Sequence, residues 1–167
     1  MLRHVIEIFE EQGFSVVGAH ELLPDLTAAQ GLKVGIDPSD DDLLDVARAC
    51  NILTVLSPLD IGQACVVAAG QCLGIETIEG TDALLDLVFR MPKNLRSGAK
   101  GVFVKASKRG QDLRVDMPTI GPRTIDAVVK AGLAGVVIEA DRVMMLDRNE
   151  TMQRVEDAGI FLSARGM

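Results

Sequence analysis

Apolar and polar residues follow two different periods along this chain, and the changes of period predict where helices and strands lie. The first pattern has helical spacing with glutamates between the apolar positions, and it predicts an amphipathic helix that ends before Gly13. Its apolar positions are Leu2, Val5, Ile6 and Phe9. The apolar run 14–18 then predicts a short buried strand, and an irregular connection is expected between Pro24 and Pro38.

The next pattern predicts a helix with a well-formed start. Ser39 can cap it, and the three aspartates at 40–42 fall in its first turn, where negative charge complements the helix dipole. The helix should end before Pro58. The residues predicted to face the core are Leu43, Leu44, Val46 and Ala47.

Beyond residue 60, strand and helix patterns alternate. A hairpin is predicted over 64–78 with its turn at Ala69–Gly70, and Thr81 is the expected N-cap of a helix over 82–90. Further strands are predicted at 101–105, 135–139, 143–146 and 160–162, and further helices at 123–131 and 149–157. The alternation predicts an α/β fold, a single domain over 1–167 with a mixed β-sheet flanked by helices.

The composition narrows the function classes. The net charge is -7, and the five Phe are the only aromatic residues, so neither charge attraction nor base stacking favours a nucleic-acid partner. Cys50, Cys65 and Cys72 lie in apolar runs, which predicts buried thiols in a reducing compartment rather than disulfides or a zinc site. Segment 1–12 is too charged for a secretory signal, and no apolar run approaches the roughly 20 residues that span a bilayer. A soluble, cytoplasmic protein is expected, and a peripheral membrane contact stays open.

The segment 110–121 has the clearest chemical pattern. If it is extended from Gln111, then Asp112, Arg114 and Asp116 share one charged face, while the alternate residues form an apolar face. Extended geometry would also separate the two aspartates by about 13 Å, too far for one metal to bind both. The two carboxylates are therefore expected to have different roles.

The residue types in this segment suit phosphate chemistry. Carboxylate oxygens are hard ligands that suit Mg²⁺, and the Arg114 guanidinium can bind a phosphate through two donors. Lys105, Lys108 and Arg109 supply local positive charge in an otherwise acidic chain. The alternative is a solvated strand edge whose charges pair with one another, and the pattern alone does not choose between the two.

Two further segments resemble anion sites at helix starts. In 76–82, the backbone N–H groups of Gly80, Thr81 and Asp82 can surround a phosphate, and Glu79 can position water or a metal. In 119–124, the Thr119 hydroxyl can donate to an anion. The alternative readings are an ordinary capped helix with an acidic first turn and a helix that begins with proline.

Four strings occur in order along the chain: Gly62–Gln63–Ala64, ETIEGTD at 76–82, GQDLRVDMPTIGP at 110–122 and AGLAG at 131–135. They resemble signature stretches of the UDP-2,3-diacylglucosamine pyrophosphatases of lipid A biosynthesis, the family that is unrelated to calcineurin-like metallophosphoesterases. The strings EEQGFSVVGAHELLPDL and DAGIFL also match, so the resemblance covers nearly the whole chain. One departure is that Ser107 and Arg109 stand where the family usually has prolines, which predicts a less rigid and more basic loop.

The resemblance implies an activity and a set of roles. The reaction would be magnesium-dependent hydrolysis of the pyrophosphate bond of UDP-2,3-diacylglucosamine to 2,3-diacylglucosamine 1-phosphate and UMP. Asp112 is the first candidate for the essential carboxylate and the metal ligand. The other catalytic candidates are Asp116 and Asp82, and the substrate-binding candidates are Lys105, Arg114, Glu79, Gly80, Thr81, Gln111 and Thr119.

The resemblance also implies partners and a location. Residues 1–167 correspond to the family's C-terminal domain, and family members carry an N-terminal domain of comparable size, with the lipid substrate between the two. A diacylated substrate implies a peripheral position at the inner face of the inner membrane of a Gram-negative bacterium. The alternative function is a non-catalytic module that binds a phosphoglycolipid or a nucleotide and needs a partner domain.

Overall fold

A six-stranded mixed sheet organises the chain. In this computed structural model, residues 2–167 are described, with side chains from residue 4 onward, so the predicted core contribution of Leu2 lies outside the described residues. The strands are β1 (Lys33–Gly35), β2 (Ala64–Ala68), β3 (Gln71–Ile75), β4 (Val102–Lys105), β5 (Thr119–Ile120), β6 (Gly135–Glu139), β7 (Met144–Met145) and β8 (Phe161–Arg165). The helices are α1 (Leu2–Glu11), α2 (Ala19–Leu22), α3 (Asp40–Leu56), α4 (Gly80–Arg90), α5 (Pro122–Lys130) and α6 (Arg148–Asp157).

The strand directions place several strand ends together. Strands β4, β6 and β8 are parallel, β2 is antiparallel to β4, and β3 is antiparallel to β2. It follows that β3, β4, β6 and β8 all end at one edge of the sheet, which we call the site edge. The strand order of the six-stranded sheet is β1-β8-β6-β4-β2-β3, and strands β5 and β7 form a separate parallel pair.

Helices cover both faces of the sheet. On one face, α3 packs Val46, Ala49 and Leu53 against strand residues such as Val104 and Val137. On the other face, α4, α5 and α6 contribute Leu85, Ile125 and Val155, respectively, to the larger core cluster. These three layers confirm the predicted α/β class with a mixed sheet between helices.

The inward face of α3 differs from the predicted one. Leu43, Leu44 and Ala47 are exposed, whereas Val46 is buried as predicted. The residues that α3 buries are Asp45, Val46, Ala49 and Leu53. A charged residue turns inward because the Asp45 carboxylate accepts hydrogen bonds from the backbone N–H groups of Ala69 and Gly70, at 3.0 and 2.7 Å. The carboxylate thereby satisfies two backbone donors in the turn of the β2–β3 hairpin.

Three local predictions are wrong. Segment 14–18 forms no strand, and Phe14 and Val17 are exposed, because the segment pairs with no neighbouring strand. Thr81 lies inside α4 rather than at its N-cap, which is Glu79. Cys72 is exposed because β3 is an edge strand, whereas Cys65 is buried. The sequence pattern also missed the short strand β1.

Candidate functional site

Charged side chains gather where the strands end at the site edge. Glu76 follows β3 directly, Lys105 is the last residue of β4, and Glu139 is the last residue of β6. Ligands of open α/β sheets bind in the crevice outside the carboxyl ends of the strands. The site edge is therefore where a ligand of this fold is expected to bind.

Lys105 and Thr81, both predicted site residues, are in contact. The Lys105 ammonium is buried, and it donates to the Thr81 hydroxyl and to Glu76 Oε2, the latter at 3.3 Å. The Thr81 hydroxyl in turn donates to the same Glu76 oxygen at 2.5 Å. This triad joins the end of β4 to the first turn of α4, and its lysine charge is already balanced by a carboxylate.

A second group lies one strand away. Glu139 Oε2 accepts hydrogen bonds from the backbone N–H of Ser107 at 2.8 Å and from its hydroxyl at 2.7 Å. Arg142 Nε donates to the Ser107 hydroxyl at 2.7 Å and lies 3.3 Å from Glu139 Oε1. These contacts join the end of β6 to the chain segment that leaves β4.

That segment, residues 106–118 between β4 and β5, is called the 106–118 loop. It is not extended as predicted, because the Asp112 carbonyl accepts from the backbone N–H groups of Val115 and Asp116, at 3.3 and 3.0 Å. The Asp112 carboxylate also accepts from the N–H of Arg114 at 3.1 Å. The chain therefore turns at Asp112, and the extended geometry from which the separation of about 13 Å was predicted is wrong. The expectation that Asp112 and Asp116 have different roles stays a prediction.

Arg114 binds Asp112 through two parallel donors. Its Nε lies 3.0 Å from Oδ1 and its Nη2 lies 2.7 Å from Oδ2 of the same carboxylate. Arg114 Nη1 also donates to Glu10 of α1 at 2.9 Å. The hydrogen bonds that Arg114 donates to Asp112, and then the one to Glu10, raise the pKa of Arg114 above its usual value. The guanidinium expected to bind phosphate is thus bound to two carboxylates.

A cavity of about 450 Å³ lies beside this turn. Its lining residues are Ser57, Pro58, Asp60, Lys108, Arg109, Gly110, Gln111, Asp112, Val115 and Asp116. The predicted candidates Gln111, Asp112 and Asp116 therefore border one space, as do the two cations Lys108 and Arg109. The space has both the oxygen ligands and the positive charge that a phosphate ester with a divalent metal requires.

The two residues that carry these cations are attached to the neighbouring segment 57–60. The Lys108 ammonium lies 2.6 Å from Asp60, and its hydrogen bond is the main cause that lowers the pKa of that carboxyl. The backbone N–H of Arg109 donates to the buried Ser57 hydroxyl at 2.5 Å. Both contacts fix the loop against the end of α3 and the short 3₁₀ helix that follows it.

Gln111 has one amide atom without a partner. Its Oε1 accepts from the N–H of Lys108 at 2.9 Å, while its Nε2 is buried with no hydrogen-bond partner. Unpaired buried donors are uncommon because each costs free energy. Gln111 therefore places an unpaired buried donor beside the cavity that it lines.

The remaining candidates lie around α4 and β5. Asp82 is exposed and accepts from Arg123 at 3.3 Å, and Glu79 is exposed at the N-cap of α4. The backbone N–H of Gly80 donates to the Thr77 carbonyl at 3.0 Å, so it already has a partner. The Thr119 hydroxyl donates to the Met117 carbonyl at 3.2 Å.

The side chains of the described residues 4–167 include no group of three His, Cys, Asp or Glu residues that could hold a metal ion. Mg²⁺ does not need such a group, since it commonly binds one or two carboxylates together with water and substrate phosphates. Asp112 and Asp116, which border the cavity, provide that number.

The sequence pattern did not identify the roles of Ser57, Glu139 and Arg142. Glu139 and Ser107 are 32 residues apart, and Ser57 and Arg109 are 52 apart, so no local spacing connects them. Because β4 and β6 are parallel neighbours, their ends lie side by side. A correct prediction of the strand order would therefore have predicted the contact between Ser107 and Glu139.

Comparisons with known proteins agree with the family that these sequence strings indicate. The family model described as "LpxI C-terminal domain" matches residues 29–163. The UDP-2,3-diacylglucosamine pyrophosphatase LpxI of Caulobacter vibrioides is 39% identical over 165 residues, an alignment that covers 97% of this chain. The chain spans 59% of the length of that relative.

Proposed function

Because this chain belongs to the LpxI C-terminal domain family, we propose that it provides the hydrolytic site for the pyrophosphate bond of UDP-2,3-diacylglucosamine. The products are 2,3-diacylglucosamine 1-phosphate and UMP, and the reaction belongs to lipid A biosynthesis. Mg²⁺ is the proposed cofactor.

The cavity at the 106–118 loop is the observation that carries this proposal. Two carboxylates, Asp112 and Asp116, and two cations, Lys108 and Arg109, border one space of about 450 Å³. Phosphoryl transfer depends on groups that position the reacting atoms and on positive charge that offsets the negative charge of the phosphoryl oxygens. The two carboxylates and the two cations of the cavity supply these groups.

The residues present fit Mg²⁺ by their chemistry. Asp112 and Asp116 are hard oxygen donors, and the carbonyl oxygen of Gln111 belongs to the same class. When bound, Mg²⁺ would offset negative charge on the pyrophosphate oxygens. We assign Asp112 as the primary ligand, and its pairing with Arg114 orients the carboxylate.

The other residues of the cavity have proposed roles that follow from their charges and hydrogen-bonding groups. Lys108 and Arg109 attract the pyrophosphate by charge, and Gln111 Nε2 donates to an oxygen of the substrate, which gives this buried N–H a partner. Asp116 is exposed, so it is placed to orient a water molecule from solvent.

The substrate gives the proposed location. A diacylated lipid lies in a bilayer, so the protein acts at the cytoplasmic face of the inner membrane, with the N-terminal domain of the full-length relative as its partner. Among the described residues, no helix is long and apolar enough to cross a membrane. The contact that we propose is peripheral.

The test is release of UMP from UDP-2,3-diacylglucosamine in detergent micelles, with and without Mg²⁺. We expect turnover that needs Mg²⁺ and that falls by roughly 100-fold or more in Asp112→Asn. Asp37→Asn is the matched control, because Asp37 is exposed and follows β1 at the opposite edge of the sheet. Wild-type turnover in a folded Asp112→Asn variant contradicts the assignment of Asp112.

A second candidate function is a non-catalytic module that binds a phosphoglycolipid or a nucleotide and needs a partner domain. It is favoured by the bidentate pairing of Asp112 with Arg114, which occupies both oxygens of the carboxylate assigned to the metal. Metal-independent binding of UMP without turnover, measured by calorimetry, would select this function over hydrolysis.

A further inference from the structure

The 106–118 loop carries Asp112, yet most of it has no regular secondary structure. A catalytic group on such a loop needs contacts that hold it, because a misplacement of about 1 Å can cost a rate factor of roughly 100. The contacts near the start of the loop are therefore relevant to function.

We infer that Glu139 is the positioning residue that holds the 106–118 loop against the sheet and thereby places Asp112 at the cavity. This inference rests on the proposed function for its effect on turnover. Glu139 is not among the residues that line the loop cavity, so it acts through the loop rather than on substrate.

The geometry at Ser107 supports this role. One oxygen of Glu139 accepts from both the N–H and the hydroxyl of Ser107, at 2.8 and 2.7 Å. Hydrogen bonds to a carboxylate are about twice as strong as neutral ones. The Glu139 side chain is only 12% exposed, so solvent competes weakly for these donors.

The position of Glu139 is itself rigid. It is the last residue of β6, and it pairs in register with Arg165 of β8. Arg142 lies 3.3 Å from its other oxygen and also donates to the Ser107 hydroxyl, so the carboxylate cannot rotate away without losing several contacts. The carboxylate thus transfers the rigidity of the sheet to the start of the loop.

The loop has a second attachment only two residues later, where the N–H of Arg109 donates to Ser57. Glu139 and Ser57 together fix the direction in which the chain leaves β4. Loss of Glu139 leaves Ser57 and Asp60 to hold Arg109 and Lys108, so we expect a displaced loop rather than an unfolded protein.

Hydrogen–deuterium exchange and steady-state kinetics of the full chain test the inference together. In Glu139→Gln we expect amides 107–112 to exchange faster by on the order of tenfold, since a charge-assisted hydrogen bond is lost. We expect kcat to fall on the order of 100-fold while KM stays within about threefold. Glu156→Gln, a matched exposed glutamate on α6, should match the wild type in both measurements.

Unchanged exchange in the loop, or unchanged kcat in an active protein, overturns the inference. If the wild-type chain releases no UMP, the proposed function fails, and exchange alone decides whether Glu139 holds the loop. If Glu139→Gln does not fold, Ser107→Ala replaces it, because that variant removes the hydroxyl contacts with Glu139 and Arg142 and keeps the backbone N–H contact with Glu139. Faster loop exchange in Ser107→Ala supports the inference, and wild-type exchange overturns it.

Discussion

Arg114 holds the Asp112 carboxylate in a bidentate ion pair, with Nε 3.0 Å from Oδ1 and Nη2 2.7 Å from Oδ2. A lysine keeps the charge at this position but lacks the planar two-donor geometry. We therefore expect both Arg114→Lys and Arg114→Gln to lower kcat for UMP release, by roughly tenfold to 100-fold, because Asp112 loses its orientation.

The control for this prediction is Glu10→Gln. It removes the other carboxylate partner of Arg114 and leaves the pair with Asp112 in place, so kcat should stay near the wild-type value. A larger loss in Glu10→Gln than in Arg114→Gln would show that α1, rather than the ion pair, governs the turn at Asp112.

Lys105 should contribute to stability through its buried pair with Glu76. The two side chains are 7% and 10% exposed, so Lys105→Met leaves a buried carboxylate without its cation. We expect a loss of about 3 kcal/mol in the free energy of unfolding, measured by urea denaturation. Lys105→Met combined with Glu76→Gln should recover much of that loss.

The matched control is Arg123→Met at the exposed ion pair with Asp82, whose side chains are 89% and 73% exposed. Its free energy of unfolding should stay within about 1 kcal/mol of the wild type. Equal losses in the free energy of unfolding in Lys105→Met and Arg123→Met would contradict the prediction that the buried ion pair contributes more than the exposed one.

Arg96 links the ends of two helices. Its buried guanidinium donates from Nη1 to the Ala131 carbonyl at 2.7 Å and from Nη2 to the Val88 carbonyl. We expect Arg96→Met to lower the free energy of unfolding by about 2 kcal/mol, because the carbonyl groups at the ends of α4 and α5 lose charged donors. Thermal denaturation should show little recovery in Arg96→Lys, since one ammonium cannot reproduce the planar fork.

Asp60 should titrate below its usual pKa, because Lys108 donates a hydrogen bond to its carboxylate. A lowered pKa in the folded state means that the pair stabilises the protein above the unfolded-state pKa of Asp60. That contribution is lost as the pH falls through the lower folded-state value. In an NMR titration, Lys108→Gln should raise the pKa of Asp60, whereas Lys108→Arg should leave it low.

Cys72 and Cys65 should react with a thiol reagent in an order that is set by their burial. Cys72 is exposed on the edge strand β3, whereas Cys65 is buried and desolvation raises its pKa. The thiolate is the reactive form, so Cys72 should react fastest and Cys65 only after unfolding. Removal of the fast phase in Cys72→Ser checks this order, and a fast phase that persists would contradict it.

Local signals predicted those elements whose cause lies within a few residues. Ser39 and Asp42 form the expected capping interaction at the start of α3, with Asp42 N–H to Ser39 Oγ at 3.2 Å. The hairpin turn at Ala69–Gly70 and the helix that begins at Pro122 are confirmed in the same way. Each of these signals depends on groups that lie within a few residues of one another in the sequence.

The strand interpretation of Gln111–Met117 is wrong because alternation of charged and apolar residues does not exclude a turn. Aspartate commonly accepts a hydrogen bond from the backbone two residues later, and Asp112 does so with Arg114. The preceding Gly110, at φ +74°, is consistent with a change of chain direction. These local features would have supported a turn.

The contacts of Glu139 with Ser107 and of Glu10 with Arg114 depend on tertiary structure. They require the order of strands in the sheet and the position of α1, which no local spacing provides. The family strings identified the residues of the 106–118 loop, while their arrangement around the cavity follows from the fold.

The position of β8 has a consequence for how the protein folds. Strand β8 lies between β6 and β1, and it pairs Ser163 with Lys33 across most of the chain. Such distant contacts make the search for the native topology slow. We expect refolding to show β1 gaining its protection late, after the parallel pair of β4 and β6, and pulse-labelled exchange can time the two events.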